Sequence, residues 1–162
     1  MKTYERKFLV KDEKDIPDLS NIEHILYERY FMYIGQDGQV RVQKRGEKYE
    51  IESVFGEYRK KIKITRQAFE KLSRNCERVI KRETYPLGNG MKIKKYLGQY
   101  SGLYIVDIEF SDREQFYRFK KPDWLGCEIT STVLGKDGQI ILLSPQKVFS
   151  ILDSLNKDED QK

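Results

Sequence analysis

The chain of 162 residues carries a formal net charge of +5, and 35% of its residues are charged while 38% are hydrophobic. This length and apolar content fit one domain with one core, and they argue against a disordered protein. No apolar run approaches the roughly 20 residues that span a bilayer, and the N-terminus lacks the apolar segment of a signal peptide. We therefore expect a cytoplasmic protein that contacts no membrane, and the positive charge favours an anionic partner.

Residues 1–10 predict a first strand with charge on one face. Successive side chains of a strand alternate between its two faces, so Glu5 and Lys7 share one face while Phe8 and Val10 lie on the other. A carboxylate and an ammonium group side by side on a strand are not typical of an ordinary core. They favour a polar interior or a binding site.

The next segments predict one short helix and several strands joined by hairpins. Pro17 and Asp18 favour the start of a helix that ends near residue 24. Aromatic residues over 27–34, a turn at residues 35–38 and alternating residues over 39–45 predict a hairpin. Further strands are predicted over residues 48–55 and 59–65.

The second half of the chain continues this pattern. Thr65 is placed to cap a helix over residues 66–77, and strands are predicted over residues 79–86, 91–97, 103–110 and 116–121. Residues 139–143 favour a strand or the start of a helix, and Ser144 with Pro145 predicts the start of a last helix. We expect one domain over residues 1–155 and a disordered polar tail over residues 156–162.

Most predicted strands place charged side chains on one face and apolar side chains on the other. An ordinary small barrel buries its apolar face in the interior. Here the charged face is expected to line a lumen, and the helices are expected to cover the apolar face. The pattern predicts an α+β, mainly β protein built as a closed or nearly closed antiparallel β-barrel with helices packed on the outside.

Four short motifs carry a resemblance to a known family. They are Thr3-Tyr-Glu-Arg-Lys7, Gly38-Gln-Val-Arg-Val42, Asp107-Ile-Glu-Phe110 and Pro122-Asp-Trp-Leu-Gly126. Together they resemble the CYTH domain family, the triphosphate tunnel metalloenzymes, whose first motif is E-x-E-x-K; this chain has Thr3 at the first Glu. The resemblance implies an antiparallel tunnel that binds a triphosphate, with basic side chains on the phosphates and carboxylates on Mg²⁺ or Mn²⁺.

The resemblance also assigns individual residues. It implies phosphate contacts from Lys7, Arg41 and Arg82, and we expect further phosphate contacts from Lys61, Lys63, Lys92 and Lys94, whose ammonium groups can neutralise phosphates directly. It implies metal contacts, if a metal is bound at all, from Glu5, Asp107 and Glu109. Lys61, Lys63, Lys92 and Lys94 align with paired carboxylates of the family, whereas Gln43, Glu52 and Thr84 align with basic residues.

Three interpretations of the function remain open at this point. In the first, the lysines replace the metal, and a basic lumen binds a triphosphate, a polyphosphate or a nucleotide phosphate with catalysis weak or lost. In the second, the chain is a Mg²⁺- or Mn²⁺-dependent triphosphatase or an adenylate cyclase-like nucleotidyl cyclase. In the third, the lumen has lost its function, and Lys61 and Lys63 pair with Glu50 and Glu52 across strands. Nucleic acid is not an expected partner, and the sequence does not predict an oligomeric state.

Overall fold

A computed structural model describes residues 4–161, which form nine β-strands and four α-helices. The strands are β1 (Tyr4–Val10), β2 (Ile25–Ile34), β3 (Gln39–Arg45), β4 (Lys48–Phe55), β5 (Tyr58–Lys63), β6 (Val79–Gly88), β7 (Met91–Tyr96), β8 (Tyr104–Phe110) and β9 (Leu125–Glu128). The helices are α1 (Arg66–Ser73), α2 (Arg113–Arg118), α3 (Asp137–Ile140) and α4 (Pro145–Asp160). This confirms the predicted α+β, mainly β class with antiparallel strands.

The described chain divides into two compact units. We call residues 4–24 and 84–161 the terminal unit, and Ile25–Glu83 the central unit; the boundary falls within β6. The single domain predicted over residues 1–155 stays a prediction. None of the helices in residues 4–161 has the length and apolar composition that a membrane span requires.

In the terminal unit the strand order is β6-β7-β8-β1-β9. One face of these strands carries apolar residues that form a buried core, including Phe8, Ile93 and Val106. Loop residues such as Leu19 and Trp124 pack against this core. The apolar face is therefore covered by loops and by α2, whose Phe116 ring lies 6.2 Å from that of Tyr4 and 5.7 Å from that of Phe110. This leaves the opposite face of β1, β7 and β8 for the charged residues.

In the central unit the strand order is β5-β4-β3-β2-β6. The hydroxyl of Thr65 accepts a hydrogen bond from the backbone N–H of Ala68 at 3.1 Å and caps α1, as predicted. The helix places the ring of Phe69 5.5 Å from that of Tyr30 and 5.2 Å from that of Tyr49. Helix α1 thus covers the apolar face of β2 and β4, and the charged residues lie on the other face.

Strand β5 is an edge strand of the central unit, and β9 is an edge strand of the terminal unit. The pairings described for residues 4–161 do not close the strands into a ring. The closed or nearly closed barrel is therefore not established by the strand pairing, and it stays a prediction.

The prediction of a helix over residues 17–24 is wrong, since these residues form turns and irregular structure. The carboxylate of Asp18 accepts hydrogen bonds from the backbone N–H of Ser20 at 3.0 Å and from its hydroxyl at 2.7 Å. The backbone N–H of Ile22 then bonds to the carbonyl of Leu19 at 3.1 Å. Asp is suited to such local turns, and here its side chain competes successfully with the first turn of a helix.

The strand predicted over residues 116–121 is also wrong, because helix α2 occupies Arg113–Arg118. The side chain of Asp112 accepts a hydrogen bond from the backbone N–H of Gln115 at 2.8 Å, which caps this helix. The aromatic residues Phe116 and Tyr117 favour a strand by propensity. The cap at Asp112 decides the local structure instead.

The last helix begins as predicted, with Ser144 as the N-cap and Pro145 in the first turn. It continues to Asp160, so residues 156–160 are helical and the prediction of a disordered tail over them is wrong. The ammonium group of Lys121 contacts the carboxylate of Glu159 and donates a hydrogen bond to the carbonyl of Gly126 at 3.0 Å. These contacts hold the end of α4 beside β9. Of the two alternatives for residues 139–143, the strand is wrong, and the helix start is only partly correct: α3 covers Asp137–Ile140 and residues 141–143 form a turn.

Candidate functional site

The polar face of the terminal unit is formed by β1, β7 and β8. In the antiparallel register, Glu5 lies opposite Glu109 and two residues further along Lys7 lies opposite Asp107. On the other side of β8, Lys92 is also opposite Asp107. Neighbouring strands therefore bring carboxylates and ammonium groups side by side, because opposite residues of antiparallel strands share a face.

Lys94 and Asp107 form a buried ion pair on this face. The Nζ atom of Lys94 lies 3.1 Å from Oδ2 of Asp107, and both side chains are only 7% exposed. The second carboxylate oxygen of Asp107, Oδ1, is buried and makes no hydrogen bond within the described part of the chain. Removal of the Lys94 ammonium group would leave Asp107 as a buried charge without its ion-pair partner, which is destabilising.

The two other ammonium groups of this face are more exposed. Nζ of Lys92 lies 3.8 Å from Oε1 of Glu109, and Nζ of Lys7 lies 3.8 Å from Oε1 of Glu5. Lys7 also donates a hydrogen bond to the carbonyl of Gly135 at 2.8 Å. Each of the three carboxylates predicted for a metal thus has an ammonium group at ion-pair distance.

The protonation of Glu5 is affected by this arrangement. Burial raises the pKa of the Glu5 carboxyl above its ordinary value; the charge of Lys7 opposes the rise, and the charge of Asp107 adds to it. The balance leaves the pKa raised, because partial burial disfavours the charged form. Glu5 therefore holds a proton more readily than an exposed glutamate.

The polar face of the central unit is formed mainly by β3, β4 and β5. Arg41 on β3 lies opposite Glu52 on β4, and Glu52 in turn lies opposite Lys61 on β5. Two residues along β4, Glu50 lies opposite Lys63, which is exposed on β5. Three of the predicted phosphate-binding residues therefore surround two glutamates.

Glu52 is held between two arginines. Its Oε2 lies 3.0 Å from Nη2 of Arg41, and both of these side chains are almost fully buried. Its Oε1 lies 3.2 Å from Nη1 of Arg59, which is 65% exposed. The Arg59 contact is an ion pair without hydrogen-bond geometry, since Oε1 is a buried atom with no hydrogen-bond partner.

Glu50 is held by three partners. Its Oε1 lies 2.6 Å from Nη2 of Arg45, and its Oε2 accepts a hydrogen bond from the amide of Gln43 at 2.7 Å. The Nζ atom of Lys61 lies 3.9 Å from the same Oε2. The pairing of Lys61 with Glu50 is the one that the third interpretation of the sequence expects.

The surroundings keep both glutamates ionised. Burial raises the pKa of Glu52, but the charges of Arg41 and Lys61 lower it by more, so the pKa is below its ordinary value. Burial also raises the pKa of Glu50, and hydrogen bonds from Arg45 and Gln43 again reverse the effect. Both groups are therefore carboxylates near neutral pH.

Arg82, the remaining predicted phosphate-binding residue, is buried on β6 of the central unit. Its guanidinium carbon lies 4.4 Å from the centre of the Tyr27 ring, and that of Arg29 lies 5.3 Å from the same ring. The face of an aromatic ring attracts a cation, so Tyr27 orders these two arginines.

Comparison with known proteins identifies the family. The chain is 31% identical over 141 residues to an inorganic triphosphatase of Acetivibrio thermocellus, a match that covers 80% of this chain and 86% of the relative. The chain belongs to the CYTH family.

No family model matches the chain. Its fold is similar to that in the crystal structure of the inorganic triphosphatase NE1496, with a TM-score of 0.73, 24% identity and coverage of 90% of this chain and 97% of that one. A second crystal structure of NE1496 has a TM-score of 0.72 and 24% identity over 89% and 100% of the two chains.

CYTH domains are expected to hold Mg²⁺ or Mn²⁺ with carboxylates, and the described side chains fit such an ion poorly. Within residues 4–161 no group of three or more Asp, Glu, His or Cys side chains is arranged to hold a metal. Asp107 offers one buried oxygen without a hydrogen bond, but its other oxygen faces the ammonium group of Lys94. An ion beside Asp107 would be repelled by Lys94 and by the nearby Lys7 and Lys92. Thr3, at the first Glu of the family motif, lies outside the described residues.

Several residues of the polar face of this CYTH domain were missed by sequence reasoning. They are Tyr27, Arg29, Arg45 and Arg59. Two of them carry a signal that could have been used, since Arg45 is four residues from Arg41 on β3 and Arg59 is two residues from Lys61 on β5, so each shares a face with its neighbour. The contacts of Tyr27 with two arginines carry no such signal, because they depend on side-chain packing.

Proposed function

We propose that this CYTH domain binds a triphosphate, a polyphosphate or a nucleotide phosphate through the cations on its polar strand faces, and that its catalysis is weak or lost. The observation that carries the proposal is the ion pair of Lys94 with Asp107, whose Nζ and Oδ2 atoms lie 3.1 Å apart. The ammonium group neutralises a carboxylate that a metal ion would need as a ligand. Lys92 stands in the same relation to Glu109. Inorganic triphosphate is favoured as a probe because the relative from Acetivibrio thermocellus is named an inorganic triphosphatase.

The charge of the central unit supports anion binding without a metal. Its polar face carries eight cationic side chains and two carboxylates among the described residues. The cations are Arg29, Arg41, Arg45, Lys48, Arg59, Lys61, Lys63 and Arg82, and the carboxylates are Glu50 and Glu52. One guanidinium group can donate two parallel hydrogen bonds to the oxygens of a phosphate, whereas an ammonium group interacts with them as a point charge. The excess of cations can neutralise the several negative charges of a triphosphate.

The lysines beside the candidate metal ligands also explain why we expect little hydrolysis. A bound Mg²⁺ or Mn²⁺ would polarise the phosphoryl group and lower the pKa of the attacking water. An ammonium group can neutralise the phosphate oxygens, but it cannot coordinate a water molecule and lower its pKa in that way. The lysines therefore favour binding over turnover.

Metal-dependent triphosphate hydrolysis is the second candidate. It is supported by Oδ1 of Asp107, a buried oxygen without a hydrogen bond in the described part of the chain, and by the relative from Acetivibrio thermocellus, which is named an inorganic triphosphatase. The cyclase alternative, the closed tunnel and the cytoplasmic location remain predictions from the sequence.

Calorimetric titration with tripolyphosphate, with and without Mg²⁺, tests the proposal. We expect binding that does not require Mg²⁺, together with phosphate release far below the roughly 10 s⁻¹ of a median enzyme. The Glu109→Gln variant is the control for hydrolysis, since it removes one candidate metal ligand and retains the lysines. Turnover near that median that disappears in Glu109→Gln would instead establish the metal-dependent enzyme.

A further inference from the structure

The two glutamates on the polar face of the central unit occupy positions that an anionic ligand would use. Glu52 is 2% exposed and lies 3.0 Å from Arg41, which is 4% exposed. Glu50 is also buried and takes a short contact from Arg45 at 2.6 Å. Arg41 is therefore not accessible to an outside anion unless Glu52 moves, and Arg45 is only half-buried.

The site also contains cations that an anion can reach first. Arg59, Lys61 and Lys63 are exposed on the edge strand β5. Lys61 and Arg59 already contact the two glutamates, at 3.9 Å and 3.2 Å. The face thus has an outer row of accessible cations and an inner pair of arginines neutralised by glutamate.

The contacts of Glu52 are incomplete for a buried carboxylate. Its Oε1 is buried and has no hydrogen bond, and the amide of Gln43, which bonds to Glu50 at 2.7 Å, is 3.3 Å from Oε2 of Glu52. A buried carboxylate oxygen without a hydrogen bond is costly. A phosphate oxygen with better geometry at Arg41 could therefore replace this carboxylate.

We propose that Glu50 and Glu52 are internal counter-ions that occupy the anion-binding site of the central unit and that a polyanion displaces them when it binds. The proposal rests on the proposed function. A tethered carboxylate competes with ligand at a high effective concentration, in the millimolar range or above for short tethers. A small anion such as inorganic phosphate makes too few contacts to compete, whereas a tripolyphosphate contacts the outer row as well. The two glutamates therefore select for chains of phosphates over single ones.

Substitution of each glutamate by its neutral isostere tests the proposal. Glu52→Gln and Glu50→Gln are titrated with inorganic phosphate and with tripolyphosphate and compared with the unmodified chain. Glu70→Gln is the matched control, because it makes the same charge change in the same unit at an exposed residue of α1 that pairs with Arg66 at 2.9 Å. We expect Glu52→Gln to bind phosphate at least about tenfold tighter, the equivalent of one charge-assisted contact, while Glu70→Gln binds as the unmodified chain does.

A second measurement separates a counter-ion from a merely structural glutamate. Loss of Glu52 leaves Arg41 buried without its carboxylate, so the melting temperature should fall, and added phosphate should restore it. A purely structural role predicts the fall without the restoration. If Glu52→Gln can be isolated only in the presence of phosphate, that requirement also supports displacement, and Glu50→Gln then supplies the affinities.

The outcomes separate this proposal from the function on which it rests. Unchanged or weaker anion binding by both variants, with tripolyphosphate binding to the unmodified chain, would overturn the counter-ion role and leave the proposed function in place. Binding by Glu52→Gln alone would mean that the glutamates block the cations and are not displaced, which would overturn both the displacement and the proposed function of the unmodified chain. No binding by any of the proteins would overturn both.

Discussion

Single charged residues on β1, β7 and β8 determine what the terminal unit can bind. Asp107 and Glu109 have the chemistry of metal ligands, but Lys94 and Lys92 lie at 3.1 Å and 3.8 Å from them. The identity of residues 92 and 94 therefore matters as much as the presence of the carboxylates. With three ammonium groups beside three carboxylates, the described face is close to neutral, so it attracts a cation less than the carboxylates alone would.

The buried ion pair of Lys94 and Asp107 leads to a prediction for a single substitution. Lys94→Met removes the ammonium group and leaves Asp107 as a buried charge without its ion-pair partner. We expect the free energy of unfolding at pH 7 to fall by about 3 kcal/mol, measured by urea denaturation. Lys92→Met is the control, since Lys92 and Glu109 are both partly exposed and their pair should contribute less than about 1 kcal/mol. Equal losses in the two variants would contradict the importance of burial.

At the scale of elements, turns and caps decide where strands and helices begin. The turn between β6 and β7 has three successive residues with positive φ, Gly88 at 85°, Asn89 at 55° and Gly90 at 75°. The carbonyl of Gly90 accepts a hydrogen bond from the backbone N–H of Glu109 at 2.9 Å. The turn therefore connects β7 to the end of β8 that carries a candidate site residue.

The two glycines of this turn should differ in their tolerance of a side chain. A Cβ atom at Gly90 would lie 2.3 Å from the carbonyl oxygen of Glu109, whereas a Cβ atom at Gly88 would have nothing within 4 Å. Gly88→Ala should lower the free energy of unfolding by about 1 kcal/mol through backbone strain alone. Gly90→Ala should lower it by at least about 2 kcal/mol, because the backbone of β8 must also move. Urea denaturation of the two variants checks this order, and equal losses would show that strain alone matters.

At the scale of the whole molecule, each of the two units contributes a polar face with a different balance of charge. The described face of the terminal unit has three ammonium groups paired with three carboxylates, whereas that of the central unit has an excess of cations. An anion should therefore be bound chiefly by the central unit. Contributions from the terminal unit require its ammonium groups to leave their carboxylates.

The double variant Lys61→Ala with Lys92→Ala tests the contribution of one lysine from each unit. Tripolyphosphate binding should weaken by about 2 kcal/mol, since each charge-assisted contact contributes about 1 kcal/mol or more. Affinity should also fall steeply with added salt, which screens exposed charges. The matched control is Lys60→Ala with Lys95→Ala, which removes the same charge from the opposite faces of β5 and β7. Equal weakening by both double variants would indicate a non-specific charge effect; calorimetry measures each.

Sequence periodicity determined which residues share a face, because strand geometry alternates side chains without reference to the rest of the molecule. It therefore predicted β3 and β4 with their observed bounds and placed Asp107 with Glu109. The capping residues Thr65 and Ser144 were also predictable, since a cap acts within a few residues. The predictions of a helix after Asp18 and a strand after Asp112 were wrong, because an Asp side chain can cap either a turn or a helix and the sequence pattern does not decide between them.

Tertiary structure alone decided the partner of each charge. The sequence placed Lys61 on the face of Glu50 and Glu52, but it did not show that Arg45 and Gln43 would hold Glu50 or that Arg41 and Arg59 would hold Glu52. Long side chains on neighbouring strands reach several partners, and register together with burial selects among them. Periodicity thus sufficed to identify a charged face. Which of its charges are neutralised within the protein depends on distances between strands that are remote in sequence.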